Sequence, residues 1–183
     1  MKEAYKLDLG GNKMYKILKA EKLADMIYLM DVEAPRVARH CMPGQFVIVK
    51  MDEKGERIPL TICDYDREAG TITIVFQTVG ASTHKMATLK AGDSFRDFTG
   101  PLGCPSELVE EDLDTLKKKK ILFVGGGVGA APVYPQVKWM HEHGIDVDVI
   151  IGSKTKDMLL LEEEMKAVAG NYYPCTDDGT YGH

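Results

Sequence analysis

Four glycines and a valine form the densest candidate for chemistry, Gly125-Gly126-Gly127-Val128-Gly129. They follow the compact apolar run Ile121 to Val124 and precede Ala130-Ala131-Pro132, where helical periodicity begins. Glycine in such a turn lets the backbone bend tightly and approach a phosphate closely. The free N–H groups at the start of the helix then face the anion. Gly125, Gly127 and Ala130 satisfy the spacing of a dinucleotide-binding turn. The plain alternative is a structural strand-to-helix turn, and the spacing alone is a weak signal.

An acidic residue usually holds the ribose at the end of the second strand of such a unit. Here that strand runs into Gly152-Ser153-Lys154-Thr155-Lys156-Asp157. Serine and two lysines suit a 2′-phosphate, and Asp157 suits a free 2′-hydroxyl. NADH and NADPH both stay open, as does an ordinary loop capping the next helix.

A second group lies earlier. In Arg57-Ile58-Pro59-Leu60-Thr61 the arginine offers a planar fork of donors suited to a pyrophosphate. Pro59 fixes the backbone, and Leu60 and Thr61 can present main-chain groups and a hydroxyl to a flat ring. Twenty residues on, Gly80-Ala81-Ser82-Thr83 places two hydroxyls where a helix begins, an anion-favouring position. Singly, Arg57 reads as a surface arginine and Ser82 as an N-cap. Their joint appearance in this order carries the argument. His84 follows and reads as a solvent-facing helix histidine, and Cys104 as a packing residue.

These segments need elements to hold them. Met14 to Ala20, Met26 to Val32, Gln45 to Met51 and Thr71 to Thr78 are short apolar or alternating runs. Turn chemistry separates them at Pro35, Pro43-Gly44, Asp52 to Gly55 and Glu68 to Gly70. Ile72, Ile74 and Phe76 share one face of the fourth run. A small antiparallel β-barrel is expected, with a short helix over 82–90. From Leu116 the pattern changes. Ile121 to Val124 predicts a strand buried on both faces, 131–143 a helix stopped by Gly144, 147–151 a strand and 159–168 a second helix. This alternation predicts a parallel α/β layer. Tyr172-Tyr173 opens a third strand, after which loop chemistry runs to His183, so the layer reads as incomplete and the chain as C-terminally truncated. The expected domains are an N-terminal extension over 1–13, a barrel over 14–115 and a partial α/β domain over 116–183.

Composition sets limits on function. The 183 residues are 44% hydrophobic and 28% charged, which fits a folded globular chain. A net charge of -5 gives a nucleic-acid role no electrostatic support. The basic run Lys117 to Lys120 reads as a solvated strand entrance. No stretch approaches the roughly 18 apolar residues of a membrane span, and the polar 1–14 segment has no apolar signal core. A cytoplasmic location is the default expectation. Cys41, Cys63, Cys104 and Cys175 show no CxxC spacing, so neither a disulfide framework nor a metal or iron–sulfur site is expected. They read as four separate thiols in or near cores.

The segments together resemble the ferredoxin-NADP reductase superfamily. Arg57 to Thr61 is similar to its flavin motif, and Gly80 to Thr83 to its second flavin-phosphate segment. Gly100-Pro101-Leu102-Gly103 is similar to the linker that meets the nicotinamide cofactor. Gly125 to Pro132 is similar to its pyridine-nucleotide phosphate loop, and Thr176-Asp177-Asp178-Gly179 to a later nucleotide-side segment. Five ordered segments cover most of the chain. Within the superfamily the wording most resembles the small subunits of NADH-dependent reduced ferredoxin:NADP oxidoreductase and the electron-transfer subunits of type B dihydroorotate dehydrogenase.

The resemblance implies FAD against Arg57, Pro59, Leu60 and Thr61, with Thr61 near flavin N5. It implies Ile74, Val75 and Phe76 on the ribityl or adenine side, and Gly80, Ser82 and Thr83 on the pyrophosphate. NAD(P)H would cross Gly100, Gly103 and Gly125 to Gly129, with Asp177 and Asp178 on its far side. The implied activity moves hydride and electrons between NAD(P)H and FAD and on to an iron–sulfur partner, with no acid–base residue required. The implied partners are a larger flavoprotein or catalytic subunit and, indirectly, ferredoxin. The family's [2Fe-2S] ligand segment has no counterpart among these cysteines. Three alternatives follow: an FAD-binding module without turnover, an electron-transfer subunit of dihydroorotate dehydrogenase, and a small flavin reductase that needs no cluster.

Overall fold

The computed structural model describes residues 14–183; the expected extension over 1–13 lies outside the described residues. Seven strands form one antiparallel sheet. They are β1 (Tyr15–Ala24), β2 (Ile27–Glu33), β3 (Phe46–Lys50), β4 (Ile58–Asp66), β5 (Thr71–Gln77), β6 (Ser94–Phe95) and β7 (Asp97–Leu102). Their order is β6-β1-β2-β5-β4-β3-β7. The two ends of this order are one continuous stretch of chain, so the sheet curls into a nearly closed barrel. Arg96, between β6 and β7, donates its backbone N–H to the Lys50 carbonyl of β3 at 2.9 Å.

The alternation in β5 works as read from the sequence. Ile72, Ile74 and Phe76 are buried in the barrel with Ile17, Met30, Val47, Val49, Phe95 and Phe98. Two short helices close the barrel's ends. Helix α1 (Pro35–His40) stands where Pro35 reads as a turn; proline occupies its first turn, where a missing N–H costs nothing. Helix α2 (Ala81–Met86) buries Met86 completely.

After two single-turn helices, α3 (Glu107–Glu110) and α4 (Leu113–Leu116), the chain builds a parallel sheet of β8 (Leu122–Gly126), β9 (Asp148–Ser153) and β10 (Asn171–Thr176). Its order is β10-β9-β8. The crossovers are α5 (Ala130–Glu142) and α6 (Glu162–Val168). Helix α6 starts three residues later than its periodicity predicts, because Leu160 and Leu161 enter the core ahead of it.

Two readings need correction. The first strand of the layer is not buried on both faces: Phe123 is inside, but Leu122 is 55% and Val124 64% exposed. It is a strand at the edge of a three-stranded sheet, covered on one face only. The register lines up Val124, Ile150 and Tyr173 across the outer face. Cys104 does not pack in a core; it is exposed, whereas Cys41 and Cys63 are buried and Cys175 is half-buried.

The barrel and the parallel layer share a core. Ala24, Ile27, Leu29, Cys63 and Val75, on the outside of the barrel, pack with Ala130, Ala131, Tyr134 and Val137 of α5. Beside this apolar seam, Lys138 of α5 reaches Asp64 of β4 at 2.7 Å.

Candidate active site

Strand β4 is shared between two partners, and this opens the barrel wall. Its first half pairs with β3, Thr61 opposite Phe46, Leu60 opposite Val47 and Pro59 opposite Ile48. Its second half pairs with β5, from Ile62 opposite Ile74 to Asp66 opposite Thr71, with an irregularity at Cys63. Beyond Ile74, the residues Val75, Phe76 and Gln77 have partners on β2 but none on β4. A wedge therefore separates Ile58–Thr61 from Val75–Gln77, with unpaired backbone groups on both sides. Such groups must find partners in water or in a ligand. Leu60 and Thr61 are half-buried at this wedge and Pro59 is exposed. Ile74 and Phe76 point into the barrel core and Val75 into the seam with α5; Val75 and Phe76 therefore offer a ligand backbone and not side chains, while Ile74 is paired on both sides, with Met30 and Ile62.

At the entrance to β4, Arg57 is 59% exposed and its Nη1 donates to Asp97 Oδ2 of β7 at 2.7 Å. The loop before β4 folds onto α2. Glu56 accepts a hydrogen bond from the Ser82 hydroxyl, and Lys85 pairs with Asp52. The lysine beside Asp52 and the loop N–H groups hold that carboxyl below its usual range. Arg57 and Ser82 are thus brought to one place through Glu56. Thr83 is spent locally: its Oγ1 accepts from the N–H groups of Val79 at 3.0 Å and Gly80 at 3.1 Å. His84 is exposed, with Nδ1 2.9 Å from the Gly80 carbonyl.

The linker Gly100–Gly103 ends β7. Leu102 lies opposite Phe46, which lies opposite Thr61, so the linker and Thr61 share one row across β7, β3 and β4. Gln45 Nε2 donates to the Gly103 carbonyl at 3.0 Å. Ser106, just beyond, donates its hydroxyl to Gln136 of α5 at 2.8 Å.

The glycine turn caps the C-terminal end of β8 as a single 3-10 turn, Gly127–Gly129, that leads into α5 and lies against β5. Gly127 needs glycine for its φ of +52°. Gly126 and Gly129 do not: neither has a positive φ, and an added Cβ would meet nothing closer than 3.9 Å at Gly126 and nothing within 4 Å at Gly129. Nothing among the described residues accounts for glycine at these two positions.

At the carboxyl ends of β9 and β10 the loops over 154–157 and 177–182 lie together. Asp177 donates its N–H to the Ser153 carbonyl at 2.9 Å. Asp178 accepts from the Thr180 N–H at 3.1 Å and its hydroxyl at 3.0 Å; the Thr180 amide and nearby hydroxyls lower its pKa. The Lys156 ammonium stands 4.4 Å above the Tyr181 ring, and the Tyr181 hydroxyl donates to Glu162 at 2.6 Å. Lys156 and Asp157 are both exposed, so the geometry here accommodates either ribose substituent.

Sequence reasoning missed Asp97 and Glu56 as members of the site. Each meets its partner across 40 and 26 residues of chain, and no local pattern announces that. It also missed a cavity of about 530 Å3 beside the seam, lined by Asp31, Asp64, Arg67, Lys138 and Glu142 among others. Among the described residues, no three His, Cys, Asp or Glu side chains converge as metal ligands, and no helix is long and apolar enough to cross a membrane.

Comparison with known proteins agrees with this geometry. No protein-family model matches the sequence. An uncharacterized protein of an adh 3′ region in Clostridium beijerinckii is 63% identical over 92% of the chain. A homologue of the dihydroorotate dehydrogenase B (NAD(+)) electron transfer subunit in Thermotoga maritima is 38% identical over 95%. The chain spans 57% and 59% of the lengths of these two relatives. Among solved structures, a chain of the NADH-dependent reduced ferredoxin-NADP oxidoreductase superposes with a TM-score of 0.81 and 38% identity, over 95% of this chain and 60% of that one. A ferredoxin NADP+ reductase from Neisseria gonorrhoeae shares the fold alone, with a TM-score of 0.69 and 16% identity over 92% of this chain and 70% of that one. By sequence the chain is a homologue of the electron-transfer subunits of dihydroorotate dehydrogenase B, and it shares its fold with the ferredoxin-NADP reductases.

Proposed function

We propose that the chain is the flavin- and nicotinamide-binding part of an electron-transfer subunit, taking hydride from NAD(P)H onto FAD for delivery to a partner. One observation carries this reading. Strand β5 borders both the wedge beside Thr61 and the Gly127–Gly129 turn, so a flat ring in the wedge and a dinucleotide on the turn would meet. In this reading residues 14–115 hold the flavin and residues 116–183 the nucleotide.

The residues present fit FAD. The wedge offers unpaired backbone on two sides, Thr61 a hydroxyl at its edge, and Arg57 and Ser82 donors at its mouth. They also fit a dinucleotide, through the open face of Gly126 and Gly129 and the dipole of α5 behind it. They do not fit a [2Fe-2S] cluster: the four cysteines lie apart, two of them buried, and no step is assigned to such a group. Bound together, the two cofactors would supply hydride transfer between nicotinamide and flavin, a transfer of two electrons and one proton. The protein's part is orientation. Pro59 and Leu60 would shape the wedge, Gly100 to Gly103 would border it, Arg57 with the backbone of Gly80, Ser82 and Thr83 would receive the diphosphate, joined by the Ser82 hydroxyl once it leaves Glu56, and Asp177 and Asp178 would flank the adenosine end. The relatives named as electron transfer subunits support a larger flavoprotein or catalytic subunit as the partner, and the likeness to the ferredoxin-NADP oxidoreductase chain supports ferredoxin as an indirect one.

The test is an anaerobic visible spectrum of the purified chain, before and after NADH and then NADPH. Bound flavin bleached by either donor supports the reading, and the faster donor names the nucleotide. Flavin that stays oxidised with both makes the chain an FAD-binding module without turnover. A colourless protein that refuses added FAD overturns the flavin assignment.

A further inference from the structure

We propose that Asp97 is a positioning residue for the flavin diphosphate and acts by aiming the guanidinium of Arg57. The inference rests on the reading of the wedge as a flavin site.

An exposed arginine is a poor anion receptor unless something holds it. Its side chain has several free torsions, and fixing them on binding costs affinity. Arg57 sits at the entrance to β4 with its side chain 59% exposed. Asp97 holds it. Its Oδ2 takes one N–H of Arg57 Nη1 at 2.7 Å.

Asp97 is itself fixed. It opens β7, where it lies opposite Lys50 of β3. Its other oxygen, Oδ1, accepts the Thr99 hydroxyl at 3.0 Å. The carboxylate is thus tied to the barrel by backbone and by side chain, and Arg57 inherits that fixity.

Donor counting shows that the pairing leaves the arginine able to work. A guanidinium carries five N–H donors in a rigid fork. The contact at Nη1 leaves the remaining edge free for phosphate oxygens. A hydroxyl has a single proton to donate, so the same arithmetic gives the opposite result at Ser82, where the Glu56 contact must break before a phosphate can bind. Asp97 can stay in place when a diphosphate arrives.

The experiment compares FAD with riboflavin, which has the ring but no phosphate, by fluorescence titration of the deflavinated full chain. The variants are Asp97→Asn, Arg57→Ala, the double variant and Thr99→Val. Asp97→Asn is expected to weaken FAD about three- to tenfold, the range of one freed side chain, and to leave riboflavin unchanged. Arg57→Ala is expected to weaken FAD more, and Asp97→Asn to add nothing in its presence. Thr99→Val is expected to reproduce a smaller part of the loss. Equal weakening of FAD and riboflavin by Asp97→Asn would make Asp97 a structural residue and overturn the proposal. Additive effects of the two substitutions, or tighter FAD binding by Asp97→Asn, would overturn it as well. If Arg57→Ala leaves FAD affinity intact, or the unmodified chain binds neither flavin, the flavin reading itself fails, and the role of Asp97 with it.

Discussion

The Ser82 hydroxyl at the start of α2 donates to the Glu56 carboxylate, which precedes Arg57 at the entrance to β4. A carboxylate oxygen stands where the argument from helix geometry puts a phosphate oxygen. Glu56→Ala is therefore expected to tighten FAD binding, by about threefold if one exposed charge-assisted hydrogen bond is the barrier. The check is the dissociation constant from flavin fluorescence. Weaker binding would mean that Glu56 orients Ser82 instead of occupying it.

Gly129 separates stability from function. Its backbone suits any L-residue and its Cβ direction is empty. Gly129→Ala is expected to raise stability by about 0.4–1 kcal/mol, because the unfolded chain loses freedom. It is expected to slow NADH-driven flavin bleaching at least tenfold while FAD affinity stays the same. Thermal melting and anaerobic stopped-flow absorbance measure the two effects. An unchanged bleaching rate would remove the phosphate role from this turn.

Leu29 is a barrel residue that packs into the core of the parallel layer. Leu29→Ala is expected to cost about 2–5 kcal/mol, the usual range for a buried leucine. A shared core also predicts a single cooperative unfolding transition in denaturant. Two resolved transitions, with only one of them shifted, would show that the two sheets fold independently.

The thiols give a pH dependence with a definite sign. Burial pushes the Cys41 thiol from 9.0 up to about 11, and burial raises Cys63 as well. Below pH 9 the folded and unfolded chains both keep these protons, and the stability they carry is fully present. As pH rises through 9 toward 11 the unfolded chain releases its protons first, and that stability is lost. A thiol reagent at pH 8 is expected to modify exposed Cys104 rapidly, half-buried Cys175 more slowly, and Cys41 and Cys63 only after unfolding. Rapid labelling of all four would contradict the packing described.

Alternation and glycine placement made much of this fold readable from the sequence. Ile72, Ile74 and Phe76 announced the inside of the barrel, and Gly125 to Gly129 the strand-to-helix turn. Helix α1 was hidden because Pro35 serves equally as a turn residue and as a first helical residue. The exposure of Leu122 and Val124 was hidden because an apolar strand looks the same whether one face or both are covered. At the candidate site, Arg57 and Ser82, the residues proposed to face an anion, could be picked out by type. The carboxylates that hold them, Glu56 and Asp97, could not, since barrel closure alone brings them near.

The seam between Leu29, Val75 and α5 has a mechanical consequence. An apolar interface flanked by the Lys138–Asp64 ion pair resists hinge motion between the two sheets. For the proposed pair of cofactors, ring spacing would then be set by packing and not by a closing motion, and solvent viscosity is expected to leave the proposed hydride transfer untouched.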